Sequence, residues 1–98
     1  MSFRVTIRSR ARDDIRAARD WYEEKSPGLG SRFGSEIDAV MFSIGDQPLI
    51  HAKIYHDIRR AMTRRFPYAV YFIVEGDRLA VLRVLHQARD PREWQTQR

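Results

Sequence analysis

The sequence predicts an α+β domain: one strand, an antiparallel helical hairpin, a three-stranded antiparallel meander joined in the same sheet by the first strand, and a short C-terminal helix. Three observations carry this expectation. The chain opens on an alternating apolar and polar stretch. Two apolar stripes of helical period follow, separated by only a few residues. The last third then holds two dense apolar runs around a glycine turn. With 98 residues there is room for one core, so residues 1–98 are expected to form a single domain.

Each element follows from its own pattern. Phe3–Arg8 alternates with period two, as a half-buried strand does. From Ala11 the period changes: Ala11, Ile15, Ala18 and Tyr22 share one helical face, which Ala17 and Trp21 widen. Arg16–Asp20 and Arg19–Glu23 are opposite charges one turn apart. Lys25-Ser26-Pro27-Gly28 interrupts this helix. Ser26 suits the N-cap of the next one and Pro27 its first turn. Leu29, Phe33, Ile37, Val40 and Ile44 then mark a second helix, with Gly45 at the expected stop and Pro48 beyond. The short connection makes the two helices an antiparallel hairpin.

Leu49–Asp57 reads as a polar loop anchored by Ile50 and Ile54, leading into a strand from Ile58 to Arg65. Phe66-Pro67 marks a turn, because proline cannot donate to a central ladder. Tyr68–Val74 is apolar on both faces, as a central strand is. Glu75-Gly76-Asp77-Arg78 is a hairpin turn, and Leu79–His86 is the partner strand, interrupted only by Arg83. Asp90-Pro91-Arg92-Glu93 resembles a helix start and places Trp94 on a last short helix.

Composition narrows the function. No apolar run approaches the roughly 18 residues of a membrane span, and the N-terminus lacks the apolar stretch of a signal peptide. There are no cysteines, which excludes disulfides and thiolate metal sites and fits a cytoplasmic protein. The formal net charge is +5, and 16 of the 18 cationic side chains are arginine. The arginine bias is equally explained by a GC-rich coding sequence, but the excess charge favours an acidic partner.

Conventional sites are lacking. Gly28-Leu29-Gly30 has no preceding strand and is no phosphate loop. His51, His56 and Asp57 lack a metal-ligand spacing, and no serine sits in a nucleophile elbow. No cofactor and no metal are expected. What remains is a cationic sheet and tail: Arg59, Arg60, Arg64 and Arg65 on one expected strand, Arg83 on the neighbouring hairpin, and His86 and Arg89 after it. These could bind phosphate or stabilise charge in phosphodiester cleavage, with His86 as acid or base. The alternative is that the strand's arginines protect a sheet edge from aggregation. Arg83, in an apolar strand, must be paired or must reach an open groove.

The chain resembles the toxins of the RelE/ParE superfamily of bacterial type II toxin–antitoxin modules. The resemblance runs through Ala11-Arg12-Asp13-Asp14-Ile15, Trp21-Tyr22-Glu23, Gly28-Leu29-Gly30 with Arg32-Phe33, and Ile44 with Pro48. It continues through Arg65-Phe66-Pro67-Tyr68, Val70-Tyr71, Val84-Leu85-His86, Arg89-Asp90-Pro91 and Trp94. The order and spacing of these pieces are more specific than any one of them.

The resemblance implies two activities. RelE-like members cleave mRNA in the ribosome with basic residues on the sheet and a C-terminal tyrosine; ParE-like members are associated with poisoning DNA gyrase. In this chain the cations of the RelE pattern would fall at Ala69 and Met62, only Arg60 and Arg89 remain, and the tyrosine is replaced near Trp94. The ParE-like branch is therefore expected, with no catalytic residues. In the alternative, a ribosome-dependent endoribonuclease, Arg60, Arg83, His86 and Arg89 would carry the chemistry. A third reading is a non-toxic antitoxin-binding module. The implied partner is a cognate, ParD-like antitoxin whose acidic C-terminal segment wraps the toxin in a hetero-oligomer, with DNA gyrase as target and no membrane. Trp21, Tyr22, Leu29 and Phe33 are candidate antitoxin anchors or simple core. Arg59, Arg65, Arg89 and Trp94 are candidate target contacts.

Overall fold

A computed structural model describes residues 2–89. The chain runs β1 (Arg4–Ile7), α1 (Ser9–Lys25), α2 (Leu29–Asp46), a 3-10 turn (Pro48–Ile50), β2 (Lys53–Tyr55), β3 (Ile58–Met62), β4 (Tyr68–Glu75) and β5 (Arg78–His86). The five strands form one sheet in the order β1-β5-β4-β3-β2. β2 to β5 are antiparallel neighbours, whereas β1 pairs with β5 in parallel, from Arg4↔Arg78 to Ile7↔Val81. The expected C-terminal helix, with Trp94, lies outside the described residues.

The helical hairpin packs on one face of the sheet. Ala11 and Ala18 of α1 and Phe33, Ile37, Val40 and Ile44 of α2 are buried against Val70, Phe72, Leu79, Val81 and Val84, with Ile15 and Tyr22 packed beside them. Alternation along the strands sends Ala69, Tyr71, Ile73, Ala80 and Leu82 to the other face, where they cluster with Ile58 and Leu85. β4 and β5 are thus buried on both faces, which is why their sequences are almost wholly apolar.

Several boundaries differ from the sequence expectation. Ser26 does not cap α2; it ends α1, its N–H donating to the Tyr22 carbonyl. α2 begins at Leu29, not Pro27, because Glu23 reaches forward from α1 and does the capping. Its carboxylate accepts the N–H groups of Gly28 (3.0 Å) and Gly30 (3.0 Å). Here the helices touch: a Cβ on Gly30 would lie 2.7 Å from the Arg19 carbonyl oxygen. Gly45 does not stop α2, which runs on to Asp46. It is instead a close approach to β1, where its carbonyl accepts the Phe3 N–H and a Cβ would lie 3.0 Å from Val5.

The region read as a loop contains the 3-10 turn and the edge strand β2. Three residues are too few to show a period, and the strand exists through pairing with β3. Ile54 does pack on the core, but Ile50 is 70% exposed and anchors nothing.

β3 ends at Met62, not Arg65. Thr63 turns the chain: its N–H donates to the Tyr68 carbonyl, and its hydroxyl donates to the carbonyls of Phe66 and Tyr68. Glu36 of α2 then takes the next two N–H groups, those of Arg64 and Arg65, off the ladder.

Candidate functional site

β1 covers β5 only as far as Val81, whose carbonyl accepts the Arg8 N–H. Beyond that point α1 takes over the edge. Asp14, one residue off the apolar stripe of α1, accepts the Val84 N–H through Oδ2 at 3.0 Å. The same carboxylate holds Arg83 in a fork, Nε to Oδ2 at 2.7 Å and Nη2 to Oδ1 at 2.9 Å. The two side chains are only 13% and 14% exposed. The hydrogen bond to Asp14 raises the Arg83 pKa further, against the lowering effect of burial. Arg83 is thus paired, and it fastens α1 to the sheet.

Next to this pair a groove of about 420 Å³ opens between α1 and the end of the β4–β5 hairpin. Ala17, Trp21 and Tyr22 form one wall; Tyr68, Leu85, His86 and Arg89 form the other. Aromatic packing stiffens it. Tyr22 stacks on Phe33 with centroids 5.4 Å apart and meets Phe66 edge-on at 4.7 Å, and Tyr68 meets His86 at 5.4 Å. Burial pushes the phenols of Tyr22 and Tyr68 above their ordinary pKa.

The candidate antitoxin anchors separate by exposure. Phe33 is fully buried, and Tyr22 and Leu29 are half-buried. Trp21 is 51% exposed, with the Lys25 ammonium 4.7 Å above its ring.

The expected arginine strip divides. Arg59 turns toward the 3-10 turn and donates to the His51 carbonyl at 2.7 Å. Arg60 stays exposed on β3, and Arg64 and Arg65 leave the strand for the β3–β4 loop. Arg60 and Arg83 are the cross-strand neighbours of Tyr71 on either side, whereas His86 pairs with Tyr68 at the hairpin's end. Arg60 and His86 are therefore two strands and three residues apart, roughly 14 Å between Cα positions. His86 Nδ1 accepts the Ala88 N–H at 3.0 Å. Met62 and Ala69 face each other across β3 and β4. Of the candidate target contacts, Arg59, Arg65 and Arg89 lie on the turn side of β3, in the β3–β4 loop and after β5. Trp94 is outside the described residues.

Among the described residues no group of three or more His, Asp or Glu side chains could hold a metal ion. Burial, reinforced by the Arg59 charge, lowers the His51 pKa, so this imidazole favours the neutral form.

Sequence reasoning gave none of the three carboxylates that organise this architecture its role: Asp14 and Glu23 stand only within pieces that carry the resemblance, Glu23 also as a partner of Arg19, and Glu36 is not singled out. Each lies off the apolar stripe of its helix, where nothing local tells which long-range partner it meets.

Comparison with known proteins agrees with this architecture. Residues 5–91 match the family model described as the ParE toxin of the type II toxin–antitoxin system parDE. No curated protein sequence matches the chain. Among solved structures, a chain of the chromosomal ParDE toxin–antitoxin system from P. aeruginosa superposes with a TM-score of 0.77 at 18% identity, covering 87% of this chain and 96% of that one. A chain of the toxin–antitoxin complex RelBE2 from Mycobacterium tuberculosis superposes with a TM-score of 0.59 at 17% identity, covering 88% and 99%. At such identities the superpositions speak for the fold, and the family model carries the assignment. The chain belongs to the ParE toxin family of type II toxin–antitoxin systems.

Proposed function

We propose that this toxin acts on DNA gyrase by protein–protein contact, without chemistry of its own, and that a ParD-like antitoxin neutralises it. The observation that carries the reading is the fate of the sheet's cations. Arg83 is paired with Asp14 through Nε and Nη2. The positions that would carry cations in a RelE-like nuclease hold Met62 and Ala69, and Arg60 stands far from His86. A nuclease relying on charge stabilisation would lack most of it, and each such group contributes about 100- to 1,000-fold to rate. The basic surface and exposed Trp21 suit an acidic antitoxin segment lying along the helical hairpin. No helix among the described residues is long and apolar enough to cross a membrane; with DNA gyrase as target, the proposed place of action is the cytoplasm.

The test is inducible expression in bacteria, then two assays on one purified preparation: gyrase supercoiling and mRNA integrity in a translating extract. Growth arrest, blocked supercoiling and intact mRNA are expected. Cleaved mRNA with normal supercoiling would replace this reading with a ribosome-dependent nuclease. Expression without growth arrest would leave an antitoxin-binding module only.

A further inference from the structure

A second groove, of about 410 Å³, lies where α2 meets the β3–β4 loop. Arg32, Ser35, Glu36 and Ala39 line it from one stripe of α2; Arg64, Arg65 and Phe66 line it from the loop. The loop is held there by a specific clamp. Glu36 Oε1 accepts the N–H groups of both Arg64 (3.0 Å) and Arg65 (2.9 Å). The inner wall is fixed as well, because the Phe66 ring packs edge-on against Phe33 at 5.3 Å and against Tyr22 at 4.7 Å.

The clamp leaves an unbalanced charge. Three guanidinium groups surround the opening, and the one carboxylate among them already has an oxygen bound by two backbone N–H groups. Among the described residues, no carboxylate lies within ion-pair distance of Arg32, Arg64 or Arg65. Two cations on a loop fixed against a third on a helix form a preorganised acceptor for negative charge. Ala39 and Phe66 add apolar surface to the wall. A compact opening with cations and apolar surface together suits the side chains of one short peptide better than a track of phosphates, which needs cations spread along a face.

We propose that this groove receives a carboxylate-rich peptide segment of the neutralising partner, its acids seated on Arg32, Arg64 and Arg65. The assignment rests on the toxin–antitoxin reading above. The probe is a fluorescein-labelled synthetic peptide of alternating glutamate and leucine, with a glutamine-for-glutamate peptide as control. Binding to the purified protein is followed by anisotropy and mapped by amide chemical shifts.

The glutamate peptide is expected to bind and the glutamine peptide to bind at least about tenfold more weakly. Shifts should gather at residues 32–39 and 64–66. The triple variant R32Q/R64Q/R65Q should weaken binding by about tenfold or more. The triple variant R4Q/R10Q/R78Q, which loses the same charge elsewhere, should weaken it by less than about threefold. Circular dichroism melting confirms that both variants fold.

Equal losses in the two variants, shifts centred elsewhere, or no binding of the glutamate peptide would overturn the proposal. So would a single-stranded oligonucleotide that binds these arginines more tightly than the peptide does. Growth arrest is scored separately. Arrest without peptide binding sinks the groove and leaves the toxin reading intact; peptide binding without arrest does the reverse.

Discussion

Replacing Asp14 with asparagine keeps the shape of the side chain and removes the charge that joins α1 to β5. Arg83 then loses its counter-ion while its side chain is only 13% exposed. Breaking one partner of a buried ion pair costs about 3–5 kcal/mol, chiefly because the remaining charge is stranded. The residual exposure lets Arg83 turn partly toward water, so solvent screening brings the cost below that range, to about 2–3 kcal/mol. For a domain of this size, that lowers the melting temperature by roughly 10–20 °C. Urea denaturation at neutral pH reads it as a lower midpoint with an unchanged slope. The double replacement D14N/R83M removes both charges together while the asparagine carbonyl can still accept the Val84 N–H, and it should recover most of the loss because no stranded charge remains. A midpoint shift in D14N equivalent to less than about 0.5 kcal/mol would contradict a buried ion pair, because it would place the pair among exposed bridges of negligible worth. So would a double variant no more stable than D14N.

Three further outcomes follow from particular contacts. Gly30→Ala would place a Cβ 2.7 Å from the Arg19 carbonyl oxygen and should destabilise the hairpin by about 1–3 kcal/mol in thermal melts. Glu36→Ala frees the amides of Arg64 and Arg65; hydrogen exchange at both should accelerate, with a stability loss of about 0.5–1.5 kcal/mol because the bonds are exposed. His51 has a pKa depressed below 6.5 in the fold, so its contribution is present above that value and is lost as pH falls through the depressed one. Urea midpoints across that acid range should therefore decline less in His51→Gln than in the parent.

The elements with strong periods were legible from the chain alone. The alternation of Phe3–Arg8, the stripe Ala11–Ile15–Ala18–Tyr22, the stripe Leu29 to Ile44 and the doubly apolar Tyr68–Val74 each became the expected element on the expected face. Short pieces were not legible. β2 is set by pairing with β3, and β3 ends at Met62 because the Arg64 N–H just beyond it is taken by a helix carboxylate 28 residues before Arg64. The helix boundary at Leu29 was misplaced for the same reason: Ser26 has cap chemistry, but Glu23 was in position to do the work.

The site divides along the same line. The α+β class, the apolar faces, the excess positive charge and the order of residues that points to the toxin superfamily can all be read along the chain. What each charge does depends on the assembled fold. Arg59, Arg60, Arg64 and Arg65 are alike in sequence, yet one caps a turn, one stays on a strand and two frame a groove. Arg83 and Asp14 are 69 residues apart in the chain and 2.7 Å apart in the fold. Apolar burial depends on local period and can be read along a chain. The role of a charge depends on which opposite charge or backbone group the fold brings within about 3 Å, and that is a property of the assembled layers alone.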